Sequence, residues 1–203
     1  MIFKINIVAI LLLVILKNCV FSQKIDITIY YESLCPDSVK FINNQLYPNW
    51  AEISPYVDLH FVPFGKSKNI NGGHDFECQH GPMECAGNKI QSCALRAVED
   101  KNAQVHFVHC FMNSFSKSDV GQTCAAQVNL DWEHIEQCFN SPTGTHLQLQ
   151  AEEKTKAVAP KFVPTIIYNE IFNQEDQNDS QTNFIGVVCK HLNNIHPGIC
   201  KKN

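Results

Sequence analysis

The chain has 203 residues, 44% of them apolar and 18% charged, and a net charge of -4 at pH 7. That length supports one domain with a real core and is short for two full ones. The mild acidity argues against the basic surface that nucleic-acid binding requires.

In chain order, the first residues read as a secretory signal. Lys4 forms a short basic head, Ile5 to Leu16 is apolar apart from Asn6, and Val20-Phe21-Ser22 offers small or modest residues at the cleavage positions. The cut is expected after Ser22, which leaves residues 23–203 as a single domain. A membrane anchor is the rival reading, but the apolar run is shorter than the roughly 20 residues that span a bilayer, so no membrane span is expected after cleavage. Removal of Lys4 and Lys17, with no acids, takes the net charge from -4 to -6. The nine histidines all lie beyond the signal, and their protonation in an acidic compartment would reverse that sign. Solvated surface histidines are the plainer explanation.

Ile25, Ile27, Ile29 and Tyr31 alternate with Asp26, Thr28 and Tyr30, the period of a strand. The strand runs into Cys35-Pro36, where proline suits a first helical turn. Val39, Phe41, Ile42 and Leu46 continue at helical spacing, and Tyr47-Pro48-Asn49 is expected to end that helix. A second strand is expected from Tyr56 to Pro63, and a loop from Gly65 to Gly73. Helical spacing returns in Ile90, Cys93, Ala94, Ala97 and Val98, then in Val105, Val108, Phe111, Met112 and Phe115. It returns again in Cys124, Val128, Trp132, Ile135 and Phe139. Ser141-Pro142-Thr143-Gly144 reads as a break, Thr145 to Val158 as a helix, and Val163-Pro164 as the entry to a β-branched strand ending near Tyr168. Asn169 to Ser180 is polar and loop-like, and carries the N-glycosylation sequon at Asn178. Phe184, Val187, Val188, His191 and Leu192 suggest a last helix.

Once Cys19 has left with the signal, nine cysteines remain: Cys35, Cys78, Cys85, Cys93, Cys110, Cys124, Cys138, Cys189 and Cys200. An odd number in a secreted chain leaves one thiol over. Cys35 is the natural odd one out, with a different unpaired cysteine or an intermolecular bridge as the alternative. The other eight are disulfide candidates with 105 possible connectivities. A thiol at a helix start is favoured as thiolate by the helix dipole, although Asp37 opposes this. Cys35-Pro36-Asp37-Ser38 is a Cys-x-x-Ser motif: it keeps the attacking thiol of a Cys-x-x-Cys redox pair, with Ser38 where the second thiol would be.

The second signal is Cys78-Gln79-His80-Gly81-Pro82-Met83-Glu84-Cys85, continuing through Asn88 to Cys93. Its spacings do not suit zinc ligation by cysteines, and no metal or cofactor is expected. His80 and Glu84 could form an acid-base pair, but a hydrogen-bonded structural role is the simpler reading. This run resembles, at every fixed position, the signature CQHGxxECxxNxxxxC of the gamma-interferon-inducible lysosomal thiol reductase (GILT) family. The fixed residues are Cys78, Gln79, His80, Gly81, Glu84, Cys85, Asn88 and Cys93. The resemblance implies an α/β, thioredoxin-like fold with a cysteine-rich helical insertion at about residues 76–158, stabilised by disulfides. It further implies a secreted or lysosomal protein that reduces protein disulfides during antigen or protein breakdown. Cys35 matches the family's first active-site cysteine, Ser38 the missing resolving one, and Pro164 the cis-proline beside the site.

Ser38 cannot form a disulfide, so three outcomes stay open. Cys35 acts as a monothiol catalyst resolved by glutathione, free cysteine or a substrate thiol, or it captures partners as lasting mixed disulfides. In the third, activity is lost and the chain is a secreted binding or host-defence module.

Overall fold

The structure, a computed structural model, describes residues 24–114, 119–192 and 197–200. The signal segment 1–22 and Phe115 lie outside the described residues.

Strand β1 (Ile25–Tyr31) is the central strand of a three-stranded sheet among the described residues. Its alternation buries Ile25, Ile27 and Ile29. Strand β2 (Val57–Pro63) lies parallel to it, with Ile25 opposite Val57 and Ile29 opposite Phe61. Strand β5 (Thr165–Tyr168) runs antiparallel on the other side, with Ile29 opposite Ile166. A parallel pair needs a crossover. Here it is helix α1 (Pro36–Phe41), a wide π-type turn (Ile42–Leu46) and helix α2 (Tyr47–Ile53). Phe41, Ile42, Leu46, Trp50 and Ile53 from this run pack with Ile27, Ile29 and Ile166 in the main core.

Between β2 and β5 lies the insertion. It begins with a small antiparallel ribbon, β3 (Lys68–Ile70) and β4 (Asp75–Glu77). Helices α3 (Pro82–Ala97), α4 (Lys101–Ser114), α5 (Val120–Gln127), α6 (Trp132–Phe139) and α7 (Pro142–Val158) follow. Phe107, Phe111, Val120, Ala125 and Ile135 form a separate apolar cluster within it. The disulfides Cys93–Cys138 and Cys110–Cys124 cross that cluster. Helix α8 (Gln174–His191) returns Phe184, Val187 and Val188 to the main core, and Cys189–Cys200 ties the short helix α9 (Pro197–Cys200) to it.

Five local expectations are corrected. Tyr47-Pro48-Asn49 does not end the first helix: the wide turn ahead of Pro48 absorbs the missing N-H, and Asn49 Nδ2 donates to the Gln45 carbonyl at 2.7 Å. The loop read from Gly65 contains strand β3. The single helical spacing from Cys124 to Phe139 is two helices, because Asp131 starts a new one by accepting the Glu133 N-H at 2.9 Å. The break expected at Ser141 is a helix start, and the loop expected from Asn169 to Ser180 gives way to helix at Gln174. Ser141 caps α7 ahead of Pro142, and Asn173 caps α8 by accepting the Asp176 N-H at 3.0 Å.

A candidate thiol site braced from behind

Cys35 follows β1 and stands at the N-cap of α1, with the Val39 N-H donating to its carbonyl at 3.0 Å. Pro36 fills the first helical position, where no backbone donor is needed. Among the described residues Cys35 is the free cysteine, and it is 7% exposed. Its Sγ lies 3.6 Å from the carbonyl oxygen of Val163, whose peptide bond to Pro164 is cis. The other eight cysteines pair as Cys78–Cys85, Cys93–Cys138, Cys110–Cys124 and Cys189–Cys200.

Ser38 is fully buried, and its Oγ accepts a long hydrogen bond, 3.5 Å, from the Glu32 N-H. The hydroxyl thus meets the backbone that leads into Cys35. A groove of about 340 Å³ runs beside this corner, lined by Asp37, Lys40, Val163, Pro164, Gln177 and Asn178. Asn178 is exposed on α8. Gln177 is buried behind Pro164: its Nε2 donates to the Pro164 carbonyl at 3.0 Å and its Oε1 accepts the Ile166 N-H at 2.8 Å.

The signature run sits behind the same corner. Asn88 Oδ1 accepts the Ser33 N-H at 2.8 Å, Ser33 Oγ donates to the Glu84 carbonyl at 3.1 Å, and Tyr31 OH donates to Gln91 Oε1 at 2.6 Å. Three successive residues before Leu34-Cys35 are therefore held from α3 or its neighbours, because Glu32 is held too. Glu32 Oε1 accepts the Lys66 N-H at 2.6 Å, and its Oε2 lies 3.6 Å from His80 Nδ1. His80 bonds Glu84 twice, from its N-H at 3.1 Å and at Nδ1 at 2.6 Å. Burial raises the Glu32 carboxyl to about 7. Nearby Glu84 adds to the rise, while the Lys66 N-H and His80 oppose it. Burial also pushes the Tyr31 hydroxyl well above its ordinary range. Gly81, at φ 84°, turns the chain into α3, and Cys78–Cys85 closes the loop that carries His80. Gln79 is exposed and takes no part.

The structure thus brings Cys35, Ser38 and Pro164 together, with His80, Glu84 and Asn88 behind them. Cys110, Cys124, Cys189 and Cys200 serve the insertion and the tail. Tyr31, Glu32, Ser33, Gln91 and the Val163 carbonyl were not singled out from the sequence. A signal was there: Glu84, Asn88 and Gln91 recur at helical spacing, a polar stripe, and all three are fully buried. Two groups place possible cation ligands together: Asp26, Asp58 and His60 at the surface, and Glu32, His80 and Glu84 inside.

A strand feeding an unpaired cysteine at a helix start, with a cis-proline segment against the sulfur, defines a protein of the thioredoxin-like class. The oxidised BdbD structure from Bacillus subtilis is similar at TM-score 0.60, with 13% identity over 83% of this chain and 88% of that one. This supports the α/β thioredoxin-like fold expected from the signature. Residues 26–128 match the family described as gamma interferon inducible lysosomal thiol reductase (GILT). GILT-like protein 1 of Drosophila melanogaster is 36% identical over 98% of this chain and 88% of its own length. A gamma-interferon-inducible lysosomal thiol reductase-like protein of Anopheles gambiae is 37% identical over 90% and 83%. The chain belongs to the GILT family. Among the described residues, no helix is long and apolar enough to cross a membrane.

Proposed function

We propose that this protein is a thiol-disulfide oxidoreductase of the secretory pathway or lysosome that reduces protein disulfides through Cys35 alone. The observation that carries the reading is the unpaired Cys35 at the helix start with its sulfur against the Val163 carbonyl, while the other eight cysteines among the described residues are paired. Four intact disulfides favour an oxidising route of maturation, and the relatives' names place thiol reduction in this family.

The Cys35 thiolate attacks a substrate disulfide, forms a mixed disulfide and expels one substrate thiolate, which takes a proton. With Ser38 in place of a thiol, an external thiol such as glutathione or cysteine attacks the Cys35 sulfur and releases the second substrate thiol. A second external thiol then frees Cys35, and the external disulfide leaves with the two electrons accounted for. No cofactor enters these steps. The substrate's chain lies in the groove along Pro164, with a glycan at Asn178 on its wall.

The test is insulin reduction at about pH 5 with excess cysteine or glutathione. Turnover should rise with external thiol and vanish in Cys35→Ser. Equal rates in the two proteins would refute the catalytic reading. A stable Cys35 adduct that resists external thiol would instead support the capture or host-defence role.

A further inference from the structure

We propose that Glu32, His80 and Glu84 form a binding site for a divalent transition-metal ion, with Glu32 Oε2, His80 Nδ1 and Glu84 Oε2 as its ligands. This goes beyond the reductase reading and does not rest on it.

The three ligand atoms lie within 4.8 Å of one another. Both carboxylates are fully buried, while the His80 side chain is 38% exposed and opens the group to solvent. Glu32 Oε2 is buried, accepts no hydrogen bond and faces His80 Nδ1 at 3.6 Å. A buried carboxylate oxygen left without a donor is costly, and a cation satisfies it.

The surroundings already hold the ligands in place. Glu32 Oε1 is fixed by the Lys66 N-H and Glu84 Oε1 by the His80 N-H. Each carboxylate therefore has one oxygen tied to backbone and the other turned inward, the division of labour that outer-shell partners give a metal site. Gly65 closes over Glu32 so tightly that a Cβ there would fall 2.3 Å from Glu32 Cγ. The Cys78–Cys85 disulfide closes the loop presenting His80.

Distances suit a small cation. Ligands about 2.0–2.2 Å from a tetrahedral ion sit roughly 3.3–3.6 Å apart. The Glu32–His80 separation of 3.6 Å is already there. The His80–Glu84 pair, at 2.6 Å, is closer than that, and outward movement of the 38%-exposed His80 side chain would open it to the ion. One imidazole nitrogen and two carboxylate oxygens suit Zn²⁺, Mn²⁺ or Fe²⁺ better than the all-oxygen cages of Ca²⁺. Three protein ligands leave a fourth position for water on the open side. A bound ion would fasten the end of β1, three residues before Cys35, to the start of α3.

The test is calorimetric titration of the chelator-treated full chain with Zn²⁺, using Cys35→Ser throughout so that the free thiol takes no metal. One ion per chain should bind at micromolar affinity or better. Binding should weaken at least tenfold in His80→Ala and in Glu84→Gln, and stay unchanged in His60→Ala, which removes the surface group. Circular dichroism identifies any variant that fails to fold; the conservative Glu84→Gln, which keeps the side chain's shape, then decides. No binding by the parent, or equal binding by the folded His80→Ala or Glu84→Gln chain, overturns the site.

Discussion

Ser38→Cys asks whether the missing thiol alone limits turnover. In a helix, residues three apart have Cα atoms about 5 Å from each other, inside the roughly 4.4–6.8 Å range of disulfides. Sulfur for oxygen weakens one long hydrogen bond, from the Glu32 N-H at 3.5 Å, by substituting a poorer acceptor, and that costs about 1 kcal/mol. The fold should tolerate it. Well-oriented intramolecular groups reach effective molarities on the order of 10⁵ M. Even an effective concentration of ~1 M would exceed glutathione at ~5 mM by ~200-fold in attacking the mixed disulfide. The assay is release of a fluorescent thiol from a preformed Cys35 adduct, followed at several glutathione concentrations. The natural chain should release in proportion to glutathione. The variant should release at least tenfold faster and independently of it, needing external thiol only to reopen its new disulfide. Release that still scales with glutathione in the variant, with the introduced thiol shown to be free, would refute the reasoning.

Two further predictions concern the frame. Asn88→Ala leaves the buried Ser33 N-H without its acceptor and should cost about 1–3 kcal/mol in urea unfolding; a midpoint equal to that of the natural chain would mean that α3 does not brace the thiol corner. Asp176 is buried against Lys190 Nζ and His191 Nε2, each at 2.8 Å. Although burial alone would raise its carboxyl, the hydrogen bonds and charges of Lys190 and His191 outweigh it and hold the group below its ordinary 3.8. A depressed carboxyl contributes stability that is fully present above the unfolded value and lost as pH falls through the folded one. Asp176→Asn should therefore cost about 1.5–3 kcal/mol at pH 5 to 7, with the difference from the natural chain shrinking below about pH 3.8. A difference that is constant down to pH 2 would remove Asp176 as its source.

Much of this frame is legible in the sequence where one rule acts alone. The isoleucine alternation of β1 marks a strand, and Cys35-Pro36 marks a helix start. Reading fails where tertiary partners override local character. The first half of α8 looks like a polar loop because Asp176, Gln177 and Ser180 are polar. All three are buried, because Lys190, the Pro164 and Ile166 backbone, and Tyr168 OH satisfy them. Pro48 looks like a terminator because the rule assumes an α-helical turn ahead of it, and the turn there is a π-turn. For the signature, the sequence identifies the family but not the task of His80, Glu84 and Asn88. Their partners Glu32 and Ser33 lie some fifty residues earlier in the chain.

Gln177 has a consequence for how this protein survives its own trade. Among the described residues β5 is an edge of the sheet, and an open edge invites pairing by any extended chain. Catalysts of disulfide chemistry meet extended, partly unfolded chains continually. By taking the Pro164 carbonyl and the Ile166 N-H into one side-chain amide, Gln177 imitates a neighbouring strand and closes those two pairing positions. At Pro164 and Ile166 a visiting polypeptide therefore finds no free ladder along which to zip and aggregate.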